Sequence, residues 1–406
     1  MYLSLHAYLE LESPTPSVYR HQTRAALRVA HHAANWEGDI ARTAKFLAEA
    51  VKRVEEQVME LGGWAEVVGG PAKQGWREGL KGYVAAVERL AECEEKLGYS
   101  KNAAGRWRAL LKLGGEEGGL GGVVDRKVRS RAAVKLGALL DEVAGVELDE
   151  KEGDLAAPLT REEKGEKKEE ESDEAATRRT EQAAREAEGL FTLAYILACE
   201  DAGLPTLPAA ERPGIIPADV PVENLTPELL HTATELGIHN ARLKQLDLAL
   251  PIFLSILRAR TKTSLPPRES VDLDYAAGDL ADPCEVGKIQ SYLGEVLWTA
   301  GQKGQGLEWS MRAVDATEPL VEQRAACRDC AVFAGGNVVM MLRRLLEEVD
   351  ENKSKKKEGR GLYLWRRPEG DVGDGKGGSV EEWERQLEVA EERLKRVLGV
   401  RVAKGK

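Results

Sequence analysis

The stretch "ELGIHNARLKQLDLALPIFLSIL", Glu235 to Leu257, sets Leu236 and Gly237 side by side, then Ala249, then Phe253. Apolar residues recur at helical spacing on both sides of the polar "NARLKQ" (Asn240 to Gln245), which predicts two helices joined by a tight turn. Two such helices approach closely only where a small residue lets the backbones meet and a bulky one fills the space alongside. A hairpin that repeats must therefore repeat its small and large positions at fixed intervals.

Two further stretches keep those intervals. In "YLGEVLWTAGQKGQGLEWSMRAVDATEP" the positions are Leu293, Gly294, Leu297, the turn residue Gly301, Gly306 and Ala313; Ser310 stands where the aromatic is expected, and Pro319 follows. In "ERLAECEEKLGYSKNAAGRWRALL" they are Leu90, Ala91, Gly98, Ala103 and Trp107. A fainter fourth set is Gly38, Ile40, Thr43, Leu47 and Ala50.

The pattern of Leu-Gly, a turn, a small residue, an aromatic and a closing Ala resembles the tetratricopeptide repeat, with Ile256 in place of the closing Ala after Phe253. The resemblance implies an all-α, TPR-like superhelical solenoid of helical hairpins. Its concave groove would be lined by the first helix of each pair and would hold a protein or peptide ligand. A plain α-helical domain with glycine turns also satisfies part of the pattern.

The bulk numbers agree with helix. Of 406 residues 42% are hydrophobic, 31% charged and only 5% aromatic, a balance suited to charge-laced helices rather than β-sandwiches. A net charge of -11 argues against nucleic acid or anionic lipid as the main partner. Five scattered cysteines (Cys93, Cys199, Cys284, Cys327, Cys330) do not look like a secreted disulfide framework, so an intracellular, reducing compartment is expected. The opening "MYLSLHAYLELESP" reads as neither a secretory signal nor an Arg-rich transit peptide. The apolar run "GLFTLAYILA", Gly189 to Ala198, is about half of the roughly 20 residues a membrane helix needs, so it is expected to be a buried helix and no membrane span is expected.

Along the chain, helical repeats are expected over 1–148 and again over 180–349. Between them, 149–179 contains "REEKGEKKEEESDE", charged at every position except Gly165 and Ser172, and is expected to be a disordered insertion because it has no apolar surface to bury. Pro205, Pro208, Pro213, Pro217, Pro221 and Pro227 make 205–227 a loop, closed by Thr226 as N-cap with Pro227 at the first helical position. "TSLPPRESVDLDYAAGDLADP" reads as a second long loop. A flexible linker, 350–378, precedes a C-terminal amphipathic helix over 379–399, with a capping box from Ser379 to Glu382 and an apolar stripe of Trp383, Leu387, Ala390, Leu394 and Val397.

Motifs for chemistry are weak. "GDVGDGKGG" has Gly370, Gly375 and Lys376 at phosphate-loop spacing, but Gly377 replaces the Mg-binding hydroxyl, and Asp371 and Asp374 would repel phosphate. "GGEEGGLGG", Gly114 to Gly122, reads as a hinge. Cys327 and Cys330 have the spacing of a redox pair or half a zinc site, without a second pair to complete four ligands; buried helix cysteines are the plainer reading. His21, His31 and His32 match no helical ligand pair, and His231 and His239 lack a neighbouring nucleophile. No catalytic, cofactor-binding or metal-ligating residue is therefore assigned, and no cofactor is expected.

Chaperone-binding repeat proteins clamp acidic tails with Lys and Arg, and carry Asn after the Leu-Gly pair. Ile238 and Glu295 hold that position here, so acidic chaperone tails are not the expected ligand. The charged insertion, the Pro-rich connection and the cysteine-bearing helix resemble the layout of TPR proteins of filamentous fungi, among them the TPR adaptor of the mitochondrial i-AAA protease. That resemblance implies a non-catalytic adaptor that delivers misfolded proteins to the protease at the inner membrane; without it, a cytoplasmic scaffold is expected. Family members carry an N-terminal membrane helix and targeting region that this sequence does not show. The competing expectations are an α-helical enzyme or redox protein using Cys327 and Cys330, and a structural subunit docked through its C-terminal stripe.

Overall fold

The computed structural model describes residues 15–69, 73–114, 124–152, 173–205, 213–262, 282–357 and 380–403. No strand occurs among the described residues, and the chain divides into two compact units, Met1–Pro213 and Gly214–Lys406. Each unit is an all-α solenoid of stacked hairpins. Most of the charged stretch expected to be disordered, the phosphate-loop-like 370–378, most of the 263–283 loop, and Ser379 of the expected capping box lie outside the described residues.

The first unit contains α1 (His21–His32), α2 (Ile40–Glu60), the short α3 (Trp64–Gly69), α4 (Lys73–Lys96), α5 (Ser100–Gly114), α6 (Arg126–Glu152) and α7 (Asp173–Asp201). A π-helical turn, Ala33–Glu37, follows α1; Gly38 (φ 65°) then reverses the chain, and the Asp39 carboxylate accepts from Arg42 N at 2.9 Å to cap α2. Packing is sequential: α2 on α1, α4 on α2, then α5, α6 and α7 each on its predecessor. Segment 15–20 lies across α4 because Gly79 and Gly82 offer no side chain there; the Tyr19 hydroxyl donates to the Gly79 carbonyl. Helical residues from 180 to 201, expected with the C-terminal repeats, instead belong to this unit, since α7 packs on α6.

The second unit contains α8 (Pro227–Arg242), α9 (Leu246–Lys262), α10 (Pro283–Thr299), α11 (Lys303–Thr317), α12 (Ala325–Lys357) and α13 (Val380–Ala403). Thr226 Oγ1 accepts from Leu229 N at 3.2 Å with Pro227 at the first position of α8. Each helix again packs on the one before, and α12 also reaches α10. The Pro-rich connection is tied down where it is described: Ile216 is buried, its N–H donates to Ser255 Oγ at 3.0 Å, and its carbonyl accepts from Arg258 at 2.6 Å. The C-terminal helix places Trp383, Leu387 and Ala390 against the core of α11 and α12, and Val397 against Val321 and Ala331.

Three hairpin turns share one geometry. Gly98 (φ 78°), Lys244 (φ 59°) and Gly301 (φ 85°) sit in the left-handed region, and the next N–H reaches back to close the helix: Tyr99 to Glu94, Gln245 to Asn240, Gln302 to Leu297, all at 2.8–2.9 Å. Only Lys244 pays the steric cost of a side chain at that position.

By length and composition, Ala325–Glu351 of α12 is long and apolar enough to cross a membrane, although no long uninterrupted apolar run marks it in the sequence. Half of that window is buried inside the protein, with Ala331, Ala334, Val338, Met341 and Leu342 in the core. Val332, Phe333, Val338, Val339 and Leu342 raise its mean hydropathy, while Gly335, Gly336 and Asn337 interrupt the apolar run.

Candidate functional site

The residues chosen for repeat packing are all buried: Leu90, Ala91, Ala103, Trp107, Leu236, Gly237, Ala249, Phe253, Leu293, Gly294, Gly306 and Ala313. The geometry explains the small ones. A Cβ on Gly237 would meet the Phe253 ring at 2.9 Å. At the same offset, Gly294 faces Ser310 and the Gly306 backbone, where Ser310 replaces the aromatic because the two glycine-bearing helices are too close to admit a ring. In the first unit Ala91 and Trp107 hold the corresponding positions, and the buried indole donates to Glu95 Oε1 at 2.6 Å.

A further hairpin was missed in the sequence. Leu136 and Gly137 on α6 form the Leu-Gly pair, and a Cβ on Gly137 would meet the Phe191 ring at 3.1 Å. Ala187, Phe191 and Ala194 on α7 carry the small, aromatic and closing-Ala spacing intact and are buried. The long connection between α6 and α7 hides the pairing, because it breaks the interval from Gly137 to Ala187 that the other hairpins keep.

In the second unit α8, α10 and α12, with the start and middle of α9, border a groove of about 630 Å³. Its floor is an aromatic row: Phe253 stacks on Tyr292 at 5.4 Å between ring centroids, and Tyr292 meets Phe333 edge-on at 6.2 Å. Phe333 and Met340, on α12, are 45% and 48% exposed although their neighbours Ala334 and Met341 are in the core. Glu235 and Glu295 also line the groove, as does Arg242 at the end of α8. Glu295 accepts from Asn337 Nδ2 at 2.8 Å, and Asn337 also reaches Ser291. Burial holds the Glu295 carboxyl above its ordinary value, with the Asn337 hydrogen bond opposing that shift. Burial, and then the charges of Glu235, Cys330, Glu295 and Glu285, push the Tyr292 phenol up to about 12.

A smaller slot of about 200 Å³ under α13 is lined by Met311, Val314, Gly335, Val338 and Leu394. Its polar groups are engaged: Arg393 pairs with Asp315 and Glu318, and Gln386 donates to Glu382. It reads as a packing gap between α12 and its cover.

Cys327 is joined to Cys284 across α10 and α12, with Cα atoms 4.7 Å apart, and not to Cys330. Burial pushes the Cys330 thiol up to about 11, opposite to what a reactive thiol needs. Sequence spacing favours near neighbours, so a partner brought in by helix packing was not legible. Asp282 lies beside the two sulfurs, but its carboxylate caps α10 at Cys284 N and binds Arg324 at 2.8 Å. With the sulfurs bonded to each other, these three residues do not make a fourfold ligand set for zinc. The histidines are likewise dispersed: His31 contacts Asn35, His32 pairs with Glu37, His231 with Glu235, and His239 is buried in α8.

No protein-family model matches the chain, and no curated protein matches it. Among solved structures a circular tandem repeat protein with novel repeat topology and enhanced subunit contact surfaces is similar at 15% identity, covering 100% of this chain and 98% of that one, with a TM-score of 0.21. A score that low carries no argument about how the hairpins stack, so the repeat assignment rests on the packing described above.

Proposed function

We propose that the protein is a non-catalytic scaffold of tetratricopeptide-like hairpins that binds a segment of another protein in the groove of its second unit. The supporting observation is the exposure of Phe333 and Met340, large apolar side chains on a half-buried helix, beside a row of packed rings. Large apolar side chains held rigidly in a concave surface are what hot-spot contacts need. A photo-crosslinking residue in place of Phe333 should capture a discrete partner set from cells, and one in place of Leu254, exposed on α9, should not. Identical capture from both positions would refute the reading.

The narrower role, delivery of misfolded mitochondrial proteins to an AAA protease, is supported by the resemblance in layout alone. Protease subunits among the Phe333 crosslinks would support it, and a partner set without them would remove it. We place the protein inside the cell, at the mitochondrial inner membrane on that resemblance and otherwise in the cytoplasm. The Cys284–Cys327 cross-link favours the more oxidising of the two settings, and thiol trapping in intact cells would decide.

A further inference from the structure

The groove of the second unit carries more than apolar surface. Glu235 on α8 and Glu295 on α10 border it from two helices, and with Glu285 they act on the same partly buried phenol, Tyr292. Ionised, Glu295 accepts a hydrogen bond from Asn337, whereas a carboxylate has room for several donors. A half-buried carboxylate with one neutral donor is under-compensated, and a cation supplies the missing interaction. Beside these acids, Phe333 and Met340 offer about half of their surface to solvent. An aromatic ring next to carboxylates favours a cation twice, through charge and through its π face. Arg242 lies at the α8 end of the groove and leaves this cluster at Tyr292 acidic.

We infer that the groove selects a protein segment in which Lys or Arg neighbours an aromatic or large aliphatic side chain. The cation would meet Glu235 and Glu295, and the apolar side chain would lie on Phe333 and Met340. This rests on the groove being the partner-binding surface, and it names the chemistry of the partner.

The test is selection of phage-displayed random peptides on the intact chain, followed by affinity measurements on variants. Winning peptides should carry Lys or Arg beside Trp, Phe or Leu. Their affinity should fall about tenfold in the Glu235→Gln, Glu295→Gln double variant, weaken with salt, and fall as well in Phe333→Ala. Glutamine at 295 can still accept from Asn337, glutamine at 235 keeps the size of the partly buried glutamate, and Phe333 is exposed, so folding should be preserved and is checked by thermal melting. Acidic or uncharged winners that ignore the glutamine pair but are lost in Phe333→Ala would overturn the inference and leave the groove reading standing. Winners indifferent to both sets of substitutions, or no winners above bare support, would overturn both.

Discussion

Gly294 on α10 and Gly306 on α11 pack backbone to backbone: a methyl on Gly306 would lie 2.7 Å from the Gly294 carbonyl oxygen, and one on Gly294 would lie 2.9 Å from the Gly306 carbonyl oxygen. Neither obstacle is a side chain that could rotate away. Gly306→Ala should therefore destabilise the second unit by about 3 kcal/mol, read as a fall in melting temperature. Gly336→Ala on α12, where an added Cβ meets nothing within 4 Å, should instead gain up to about 1 kcal/mol from helix propensity. Opposite signs in one unit separate close packing from glycine's general weakness in helices.

Lys244 holds a left-handed conformation that Gly98 and Gly301 hold at the matching turns. Lys244→Gly should relieve that strain and stabilise the α8–α9 hairpin by about 1 kcal/mol. Chemical denaturation should show a higher midpoint with an unchanged slope.

The cross-link between Cys284 and Cys327 spans a sequence separation of 43. Closing such a loop restricts the unfolded chain, so a Cys284→Ala, Cys327→Ala variant should lose about 2–4 kcal/mol. Reductant should lower the melting temperature of the parent and leave that variant unmoved. Equal sensitivity of both proteins would show that the bond does not form in solution.

Glu295 binds its proton more tightly in the folded protein than in the unfolded chain, because burial raises it above 4.5. Stability from this group is therefore highest at and below that unfolded value and is lost as pH rises through the raised folded value. Glu295→Gln should remove this dependence, so the variant's advantage in melting temperature should be largest at neutral pH and shrink on acidification toward 4.5. An advantage independent of pH would assign the effect to packing.

Much of the architecture was legible because close packing leaves a trace in residue size. Leu236, Gly237, Ala249 and Phe253 announce their hairpin, and Leu293, Gly294 and Gly306 do so despite Ser310. The α6–α7 hairpin escaped because its two halves lie far apart in the chain, although Ala187, Phe191 and Ala194 keep their spacing. The groove was legible only as a surface of the first helices. Tyr292 and Glu295 come from one helix and Phe333 and Met340 from another, the rotation of each depends on packing, and no local pattern records which side chains turn inward. The pairing of Cys284 with Cys327 was hidden for the same reason.

The contact of Gly137 with Phe191 carries a consequence for how the chain can be assembled. That hairpin joins helices that lie far apart in the sequence, and it is held by the surfaces that α6 and α7 turn toward each other. Two polypeptides, one ending with α6 and the other starting with α7, should therefore find each other and reassociate through those surfaces.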